Sequence, residues 1–529
     1  MDRTEQIARL RLGEAWDVAV IGGGATGLGV ALDAAARGFK VLLLEAGDFA
    51  RGTSSRSTKL VHGGVRYLAQ GNVGLVREAL RERSMLLANA PHLAQPLAFV
   101  MPGYHWWERA FYGAGLKAYD ALAGRRGLGR TELLSSAEVQ ALMPTVRRRG
   151  LSGGVKYWDG QFDDARLAVA LARTAVAHGA CVANRLECAA LRREAGRVRG
   201  LVAVDLETGA RFDIDAACVI NATGVWVDTI RGLDVDGAGA PKEPMVAPSQ
   251  GVHLVVDRRF LPTDHALLVP KTEDGRVLFA VPWLGKTVLG TTDTPRDDLA
   301  NEPAPFPAEI EFILGEAGKY LSVAPTRADV LSVWVGLRPL VRPPRGEDGA
   351  AATQSISREH TVHVDPSGLV TVTGGKWTTY RAMAEDVLTQ CFGRALLPSR
   401  PGGVTERLRL AGAPSGPGAS LTRTPGAHEY GSDAVALQDL PGADRWLWRE
   451  GDGGLSEAMV RFAARVEMAR SVEDVLARRC RLLFLDARRA AALADPVAGL
   501  LAEELGPTFD AAASAAAFKA LAAHYLVMP

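Results

Sequence analysis

The sequence has few cysteines, almost no net charge and no long apolar segment, and each shortage excludes a class of protein. Its formal net charge is +1, with 61 Lys and Arg against 60 Asp and Glu, which argues against binding nucleic acid through bulk charge. The five cysteines are scattered and form no C-x-x-C pair. We therefore expect free thiols in a reducing compartment and no zinc or other metal site.

Nothing in the sequence predicts a membrane-spanning helix. Residues 1–14 are charged throughout and lack the apolar centre of a signal peptide. The longest stretch without Lys, Arg, Asp or Glu, residues 84–107, is interrupted by three prolines. With 529 residues the chain is too long for one hydrophobic core. We expect two or three domains, and a chain that crosses no membrane but is able to lie against one.

The N-terminal region has the pattern of a dinucleotide-binding β-α-β unit. The apolar run 18–21 predicts a buried strand, and residues 22–27, GGGATG, have the spacing G-x-G-x-x-G. An alanine-rich helix is predicted over 28–37, and a second buried strand over 41–44. A glycine motif alone is weak evidence, but here it falls in register with both strands and the helix. The pattern predicts a Rossmann-like domain.

The residues of this motif have separate roles when a dinucleotide binds. Gly22 permits a tight turn, Gly24 lets the backbone approach a pyrophosphate, and Gly27 lets the helix pack close to the strand. Glu45 ends the second strand, where it is able to accept hydrogen bonds from ribose hydroxyls and would repel a 2′-phosphate, which disfavours NADP. The helix N-terminus attracts phosphate groups. The predicted pyrophosphate-binding residues are Gly22, Gly24, Ala25, Thr26 and Gly27.

A loop rich in hydroxyls, glycines and cations follows at residues 46–70. Standing alone, it would be interpreted as a solvated loop. Its position after the second strand favours ligand binding instead, because ligands bind at the carboxyl ends of parallel strands. The candidates for binding phosphate or ring edges are Thr53, Ser54, Ser55, Lys59 and, as a positively charged fork, Arg66.

Within this loop the run TSSRSTKLVHGGVRYL, residues 53–68, resembles the signature of the FAD-dependent glycerol-3-phosphate dehydrogenases, respiratory flavoenzymes that feed electrons to quinone. The resemblance continues in the same order through most of the chain. It includes APHLAQPLAFVMP at 90–102, YWDGQFDDARL at 157–167, NATGVW at 221–226, SQGVHLVV at 249–256, LGTTDT at 289–294, VGLRPL at 335–340, GGKWTTYR at 374–381 and VEDVLARRCRLLFLDARRAA at 472–491. Trp377 stands where the family usually has Leu, and residues 402–444 fit the pattern poorly.

The resemblance implies that bound FAD takes a hydride from sn-glycerol 3-phosphate, which becomes dihydroxyacetone phosphate, and that electrons pass to a membrane quinone. Arg66 and Arg338 are then the clamps for the substrate phosphate, and Tyr67 flanks the substrate. His253 is the candidate for taking the hydroxyl proton, since imidazole titrates near working pH. Lys376 would lie by flavin N5 and steady developing negative charge.

Other residues are expected around the flavin. Residues 374–376 open a predicted helix at Thr378 or Thr379, whose N-terminus is able to stabilise negative charge on a reduced ring. Covalent attachment at His62 is chemically feasible, but we expect noncovalent FAD. The candidates for contacting the flavin are His62, Gly64, Gly224, Gly375, Lys376, Thr378 and Thr379.

The remaining patterns predict an α/β plus α+β fold. We expect a Rossmann-like FAD-binding domain of the glutathione-reductase and D-amino-acid-oxidase type, an antiparallel-sheet substrate domain and a C-terminal helical domain. The predicted segments are 1–102, 151–235 and 351–395 for FAD binding, 103–150 as an insertion facing the membrane or the substrate domain, 236–350 for substrate binding and 396–529 for the helical domain. The predicted elements are strands at 252–256, 266–270, 277–281, 287–290 and 330–335, hairpins within 198–214 and 361–372, a loop and helix over 155–178, and helices from 445 onward.

Residues 103–129 leave two interpretations open. Aromatic residues such as Trp106 and Trp107, mixed with basic residues such as Arg125 and Arg126, suit a membrane interface. The alternative is that the aromatic residues belong to the core and the cations to a solvated face. Resemblance to enzymes that reduce membrane quinone favours the interface. We therefore expect a cytoplasmic protein, peripheral on the inner face of the cell membrane, and leave open whether it is a homodimer.

Two other functions stay open. A glycerol-3-phosphate oxidase would use dioxygen in place of quinone, and motifs do not reveal whether dioxygen reaches the reduced flavin. A non-enzymatic FAD-binding or sensor protein would require the cations Arg66, Arg338 and Lys376 to be incidental. The sequence has no second G-x-G-x-x-G in a strand–helix context and no redox C-x-x-x-x-C pair, which argues against a flavin reductase fed by NADH.

Overall fold

The computed structural model describes residues 1–64, 68, 71–234, 242–342 and 359–527 of the chain. In chain order the helices are α1 Arg3–Arg11, α2 Ala25–Ala36, α3 Val73–Asn89, α4 Glu108–Ala123, α5 Ser136–Leu142, α6 Asp164–Ala177, α7 Val227–Gly232, α8 Pro307–Tyr320, α9 Tyr380–Gly393, α10 Ala434–Gln438, α11 Glu457–Glu467, α12 Leu482–Leu485, α13 Ala487–Ala492, α14 Ala494–Leu505 and α15 Ala511–His524, with a π-helical turn at Asp474–Arg479.

The strands belong to two large sheets and one short hairpin. They are β1 Trp16–Ile21, β2 Val41–Leu44, β3 Leu60–Val61, β4 Ala94–Gly103, β5 Glu132–Leu134, β6 Gly153–Phe162, β7 Cys181–Ala183, β8 Leu186–Glu194, β9 Arg197–Asp205, β10 Arg211–Asn221, β11 Val246–Asp257, β12 Ala266–Val269, β13 Leu278–Trp283, β14 Lys286–Gly290, β15 Thr294–Pro295, β16 Val330–Val341, β17 His360–Val364, β18 Val370–Gly374, β19 Trp446–Glu450 and β20 Gly453–Ser456.

The first sheet contains the predicted dinucleotide-binding unit. Its order is β17-β18-β10-β1-β2-β7, and β1 pairs in parallel with both neighbours, Val18 lying opposite Val41 and Cys218. The strands are buried on both faces, as apolar runs in a parallel sheet require. The predicted hairpin within 198–214 is confirmed as β9 and β10, which β8 extends. Helix α2 begins earlier than predicted, because Gly24 serves as its N-cap.

The second sheet runs β15-β11-β14-β13-β12-β4-β6-β3, with β16 paired to β11 and β5 to β6. The five strands predicted between 252 and 335 are confirmed as β11, β12, β13, β14 and β16. The sheet is mixed, because β12 pairs in parallel with β4.

The prediction of a loop at the start of residues 155–178 is wrong. These residues continue β6 as far as Phe162, and β6 pairs with β4 along its whole length. The alternate side chains Val155 and Tyr157 are buried, which is the pattern of a half-buried strand. Three glycines and an aspartate in β6 obscure that alternation in the sequence.

Beyond residue 445 the chain is helical only after a hairpin. The sequence predicts helices from residue 445 onward, but β19 and β20 come first, and α11 begins at Glu457. Apolar side chains of these helices form one core with the second sheet, in which Phe484 packs edge-on against Trp334. The C-terminal helices therefore pack against the second sheet through a shared apolar core.

Helix α4 combines the two interpretations of residues 103–129. It buries Leu116 and Tyr119 in the core. Trp106, Trp107 and Phe111 are 87%, 44% and 66% exposed. None of the helices in the described part of the chain is long and apolar enough to cross a membrane.

Candidate active site

A cavity of about 1810 Å³ lies between the two large sheets. It follows the carboxyl ends of β1, β2 and β18 on one side and passes β11, β13 and β16 on the other. This volume exceeds the ~300–1,000 Å³ common for small-ligand pockets. The cavity therefore has room for a dinucleotide together with a small substrate.

The glycine cradle, Gly22, Gly24 and Gly27, lies where β1 turns into α2. Gly22 has a φ of +110°, and a Cβ there would lie 2.7 Å from the carbonyl oxygen of Ala222. A Cβ on Gly27 would lie 1.9 Å from the carbonyl oxygen of Gly22, so only glycine lets α2 pack this closely. At Gly24 the nearest atom would be Ser54 Oγ, at 3.1 Å. The cradle thus exposes backbone where larger residues would cover it.

The loop after β2 joins the cradle to the second sheet. The backbone N–H of Ala25 donates to Ser54 Oγ at 2.9 Å, and the indole N–H of Trp377 donates to the Ser54 carbonyl at 2.9 Å. The Thr53 hydroxyl donates to the carbonyl of Leu337, in β16, at 2.5 Å. The cavity-lining residues of this region are Ala25, Thr26, Thr53 and Ser54.

Two loop residues that the sequence assigns to cofactor binding lie elsewhere. Ser55 is buried, and its carbonyl accepts a hydrogen bond from Lys59 Nζ at 2.7 Å. Lys59 Nζ also donates to Asp164 Oδ2 at 2.7 Å, and the lysine side chain is fully buried. Burial lowers the pKa of Lys59 to about 7, against the pull of Asp164. The structure corrects the assignment of these two side chains, because a buried ion pair draws the ammonium away from the cavity.

Glu45 lines the cavity beyond the cradle. Its carboxylate accepts hydrogen bonds from the N–H groups of Gly23 and Gly47, both at 2.7 Å. Burial raises the pKa of Glu45, and these two N–H groups oppose the rise. The cavity continues past Glu187 and Cys188 at the start of β8, which the sequence did not indicate. The alternation of apolar and polar residues at the start of β8, Leu186, Glu187 and Cys188, is the sequence signal that could have found this wall.

The residues predicted around a flavin meet at another part of the cavity. Gly374 and Gly375 have φ of +79° and +74°, and a Cβ on Gly375 would lie 2.4 Å from Met383 Sδ. The Thr378 hydroxyl donates to the His62 carbonyl at 3.4 Å, so the two predicted flavin segments are in contact. Helix α9 follows at Tyr380 after a 3-10 turn. The lining residues are His62, Gly64, Gly224, Gly375, Lys376, Thr378 and Thr379.

The imidazole wall, Thr58, His253 and Arg338, lines the cavity on the side of the second sheet. His253 Nε2 lies 2.9 Å from Thr58 Oγ1, and its ring stacks on Trp334 with centroids 5.2 Å apart. Burial, together with the positive charges of Lys59 and Arg338, lowers the pKa of His253 well below its usual range. The ring is therefore a neutral imidazole at physiological pH.

Arg338 is held in place by acceptors from neighbouring strands. Nη1 donates to the Gln250 carbonyl at 3.1 Å and to Asp293 Oδ1 at 3.2 Å. Nη2 donates to the Thr292 carbonyl at 2.9 Å and to the Thr291 hydroxyl at 3.2 Å. The guanidinium is fixed, and its side chain is 21% exposed. It presents a fixed positive charge to the cavity.

Glycines of the sequence motifs make room for these two side chains. A Cβ on Gly251 would lie 2.2 Å from Arg338 Nη2. A Cβ on Gly290 would lie 2.5 Å from Cδ2 of His253. The runs SQGVH and LGTTDT therefore contain glycine because the arginine and the imidazole lie directly against the backbone.

Three residues of the cavity lining were not predicted from the sequence, and two predicted residues lie outside the part of the chain that the structure describes. Phe99, Tyr157 and Phe279 form an aromatic part of the lining, which only the pairing of distant strands brings together. Arg66 and Tyr67, predicted to bind substrate, lie outside the described residues.

The lining groups fit a flavin adenine dinucleotide. The cradle offers close-approach backbone beside a helix N-terminus for the diphosphate, and Glu45 offers carboxylate oxygens for ribose hydroxyls. Gly375, Lys376 and Thr378 supply a second turn with N–H groups and a cation at the far part of the cavity. The imidazole wall then leaves space for a small anionic substrate.

Comparison with known proteins agrees with this geometry. Residues 17–386 match the family model described as FAD dependent oxidoreductase, and residues 404–511 match the C-terminal domain of alpha-glycerophosphate oxidase. A mitochondrial glycerol-3-phosphate dehydrogenase of Arabidopsis thaliana is 42% identical, over 92% of this chain and 82% of that protein. The mitochondrial glycerol-3-phosphate dehydrogenase of Homo sapiens is 40% identical, over 95% of this chain and 72% of that protein.

A solved structure extends the similarity to three dimensions. The glycerol-3-phosphate dehydrogenase of Bacillus halodurans, crystallised in complex with FAD, superposes with a TM-score of 0.76 at 28% identity. The superposition covers 99% of this chain and 97% of that one.

Proposed function

Because the chain belongs to the family of FAD-dependent glycerol-3-phosphate dehydrogenases, we propose that it oxidises sn-glycerol 3-phosphate to dihydroxyacetone phosphate and delivers the electrons to a membrane quinone. Bound FAD supplies the hydride-accepting position. The observation that carries the proposal is the imidazole wall, where a neutral imidazole and a fixed guanidinium line the same cavity as the glycine cradle.

In this proposal His253 takes the proton of the substrate hydroxyl. A base must be unprotonated before it acts, and the lowered pKa of His253 meets that requirement. The Thr58 hydroxyl, 2.9 Å from Nε2, fixes the ring on the side of the cavity. The proton would move from the substrate oxygen to an unprotonated ring nitrogen of His253.

Arg338 binds the phosphate of the substrate in the same proposal. Its guanidinium is anchored by carbonyl groups and by Asp293, so little side-chain entropy is lost when an anion binds. Lys376 adds positive charge where negative charge develops during hydride transfer. Arg66 and Tyr67 remain predictions for further substrate contacts.

An anaerobic titration tests the reaction. Glycerol 3-phosphate should bleach the flavin absorbance of the purified holoenzyme, whereas NADH should not, and glycerol should act only weakly because it lacks a phosphate. His253→Ala should slow this reduction by roughly a hundredfold or more at saturating substrate. A flavin that stays oxidised with glycerol 3-phosphate would overturn the proposal and favour a non-enzymatic FAD protein.

The electron acceptor is tested separately from the substrate. After anaerobic reduction, a soluble quinone analogue should reoxidise the flavin rapidly, and air should do so slowly with little hydrogen peroxide. Stoichiometric peroxide in air, undiminished by quinone, would instead identify a glycerol-3-phosphate oxidase.

We further propose that the exposed aromatic residues Trp106, Trp107 and Phe111 place the protein on the inner, cytoplasmic face of the cell membrane. Aromatic side chains beside cations suit the boundary between headgroups and acyl chains. The arginines at 147–149 support this, because their loop contacts the same segment: the Tyr104 hydroxyl donates to the Arg147 carbonyl at 2.9 Å. A quinone held in the bilayer would then be near its reductant.

Vesicle binding tests this surface. The wild type should sediment with phosphatidylglycerol vesicles, less with phosphatidylcholine, and less at high salt. Replacing Trp106 and Trp107 with Ser should release the protein while turnover with a soluble acceptor persists. The matched control replaces Leu12 and Val435, which are 70% and 67% exposed elsewhere, with Ser and should still bind. Equal binding by all three proteins would contradict the proposed surface.

A further inference from the structure

A buried ion pair lies directly behind the imidazole wall. Lys59 Nζ lies 2.7 Å from Asp164 Oδ2, and neither side chain is exposed. Arg481 Nη2 reaches the other oxygen of Asp164 at 3.1 Å, and it shares the Ser55 carbonyl with the lysine. A lysine is rarely fully buried, and it needs such partners when it is. The proposed reaction gives no use for this charge.

Lys59 and His253 are in contact with the same aromatic ring. Lys59 Nζ lies 5.2 Å from the ring centroid of Trp334, and the imidazole stacks on that ring with centroids 5.2 Å apart. Trp283 and Phe484 also lie within 5.3 Å of the ammonium, so aromatic faces surround it. The lysine charge therefore acts on the imidazole through a medium from which water is excluded.

The backbone links the two groups a second time. Thr58 immediately precedes Lys59 and reaches His253 Nε2 with its hydroxyl at 2.9 Å. Lys59 has a φ of +66°, a left-handed conformation that non-glycine residues rarely adopt. The ion pair with Asp164 holds this conformation, because its geometry depends on where the lysine side chain leaves the backbone. Fixing Lys59 thus fixes the direction of the Thr58 hydroxyl.

The charged groups that lower the pKa of His253 both disfavour a protonated ring. Lys59 approaches from the loop and Arg338 from β16, and both are positively charged. The carboxylates nearby are engaged elsewhere, Asp164 by Lys59 and Asp293 by Arg338. On β14, Gly290 lies directly opposite His253, and in the described part of the chain no group hydrogen-bonds to Nδ1.

Lys59 carries its positive charge in the pH range in which an imidazole takes up a proton. Its pKa of about 7, lowered by burial, leaves the ammonium protonated through the acid range in which a free imidazole would take up a proton. The repulsion between the two groups therefore grows as the pH falls.

We propose that Lys59 is a positioning residue for His253: its buried ion pair aims the Thr58 hydroxyl at the imidazole, and its charge keeps the ring unprotonated. The catalytic meaning of this proposal rests on the proposed function of His253 as the base. The physical part, the effect of Lys59 on the protonation of His253, stands without it.

The experiment compares Lys59→Met, which keeps the length of the side chain, with the double variant Lys59→Met/Asp164→Asn, which leaves no unpaired carboxylate. Histidine ¹³Cε1 signals of each holoenzyme are followed from pH 5 to 8, the signal of His253 being identified by its absence in His253→Gln. Both variants should raise the pKa of His253 into this range, so that its signal titrates between pH 5 and 8, where the wild-type signal does not. Lys40→Met, which removes an exposed cation paired with Glu14, should leave that signal unchanged.

Anaerobic flavin reduction provides the second measurement. In Lys59→Met the rate at saturating substrate should fall on the acid side and recover toward the wild-type rate as pH rises. Thr58→Val should slow reduction about tenfold at every pH, because it loosens the ring without changing its charge. A merely structural role of Lys59 would lower the rate equally at all pH values.

The outcomes separate this inference from the proposed function. If the His253 signal and the acid side of the rate profile coincide in Lys59→Met and wild type from pH 5 to 8, the inference is wrong. If His253→Gln reduces its flavin at the wild-type rate, His253 is not the base, and the histidine signal alone then decides whether Lys59 controls its protonation.

Discussion

The glycine cradle and the imidazole wall line one cavity but are built in opposite ways. The cradle is contiguous in sequence, uses backbone atoms and rests on an apolar core that includes Val18 and Leu28. The imidazole wall takes its side chains from separate strands and a loop, and behind it lies the ion pair of Lys59 and Asp164. The glycine cradle depends on the absence of side-chain atoms at its glycines, whereas the imidazole wall depends on the pairing of opposite charges behind it.

This difference decides what damages each surface. A side chain added to a cradle glycine should disrupt the packing of the cradle, because its backbone is already in contact with the neighbouring turn. A charged wall tolerates changes of volume better than the loss of a partner, because a buried unpaired charge is strongly unfavourable. Substitutions that separate volume from charge therefore test whether the two surfaces differ as described.

The largest effect is expected in the cradle. Gly27→Ala places Cβ 1.9 Å from a backbone oxygen that cannot move away, so unfolding should become easier by about 3 kcal/mol or more and FAD should be lost. Gly24→Ala is the matched control, because its Cβ meets only a side-chain atom, Ser54 Oγ, at 3.1 Å, and it should leave the protein folded. Urea unfolding and flavin content measure both. Similar stability of the two variants would show that α2 shifts freely.

The next largest effect is expected at Arg338. Arg338→Ala should lower kcat/KM for glycerol 3-phosphate by about 2–3 kcal/mol, roughly thirty- to two-hundredfold, and mainly through a higher KM. Arg338→Lys should recover part of this loss, since it keeps the charge but not the fork. Weak turnover of glycerol should change little in either variant. A fall in kcat with unchanged KM would instead give Arg338 a role in hydride transfer.

The same contrast explains what the sequence could reveal. The β1–α2–β2 unit was predictable because its strands, helix and glycines are neighbours in the chain. The sequence predicts that Lys59 binds phosphate or ring edges, because hydroxyls, glycines and cations crowd the loop that follows the second strand. Its partner Asp164 is 105 residues away, and Arg481 lies 317 residues beyond that. No local pattern reports such a cluster.

Resemblance to a family supplied His253 and Arg338 as candidates, but not the reason for the motifs that carry them. The structure supplies that reason at Gly251 and Gly290, where a Cβ would collide with those side chains. Strand β6 was missed because its alternation is interrupted by glycines that lie against neighbouring backbone, as at Gly160. Local propensity therefore failed where tertiary contacts select the residue.

A smaller effect is expected at Glu45, a charged side chain that accepts a hydrogen bond from Gly23 beside the glycine cradle. Glu45→Gln replaces one acceptor oxygen by an N–H₂ group that faces a backbone N–H, so FAD affinity should fall by about 1–2 kcal/mol, roughly five- to thirtyfold. Flavin release on dilution measures it. Glu187→Gln, at the same end of the cavity, is the control and should retain its flavin. Full retention by Glu45→Gln would mean that the ribose binds elsewhere.

The smallest effect is expected at Glu429, a buried acid that interacts with Asp163, Arg166 and Arg481. Burial, reinforced by Asp163, raises the pKa of Glu429 from 4.5 to about 8. The unfolded chain releases this proton near pH 4.5, so the folded state loses stability as pH rises from 4.5 through 8.

Glu429→Gln mimics the protonated acid, and it should therefore stabilise the protein by about 1 kcal/mol or more at pH 8 and by almost nothing at pH 4.5. Urea unfolding at the two pH values measures the difference. Glu503→Gln, whose side chain is 61% exposed, controls for loss of a surface charge. A gain in stability that is equal at both pH values would show that the fold does not raise the pKa of Glu429.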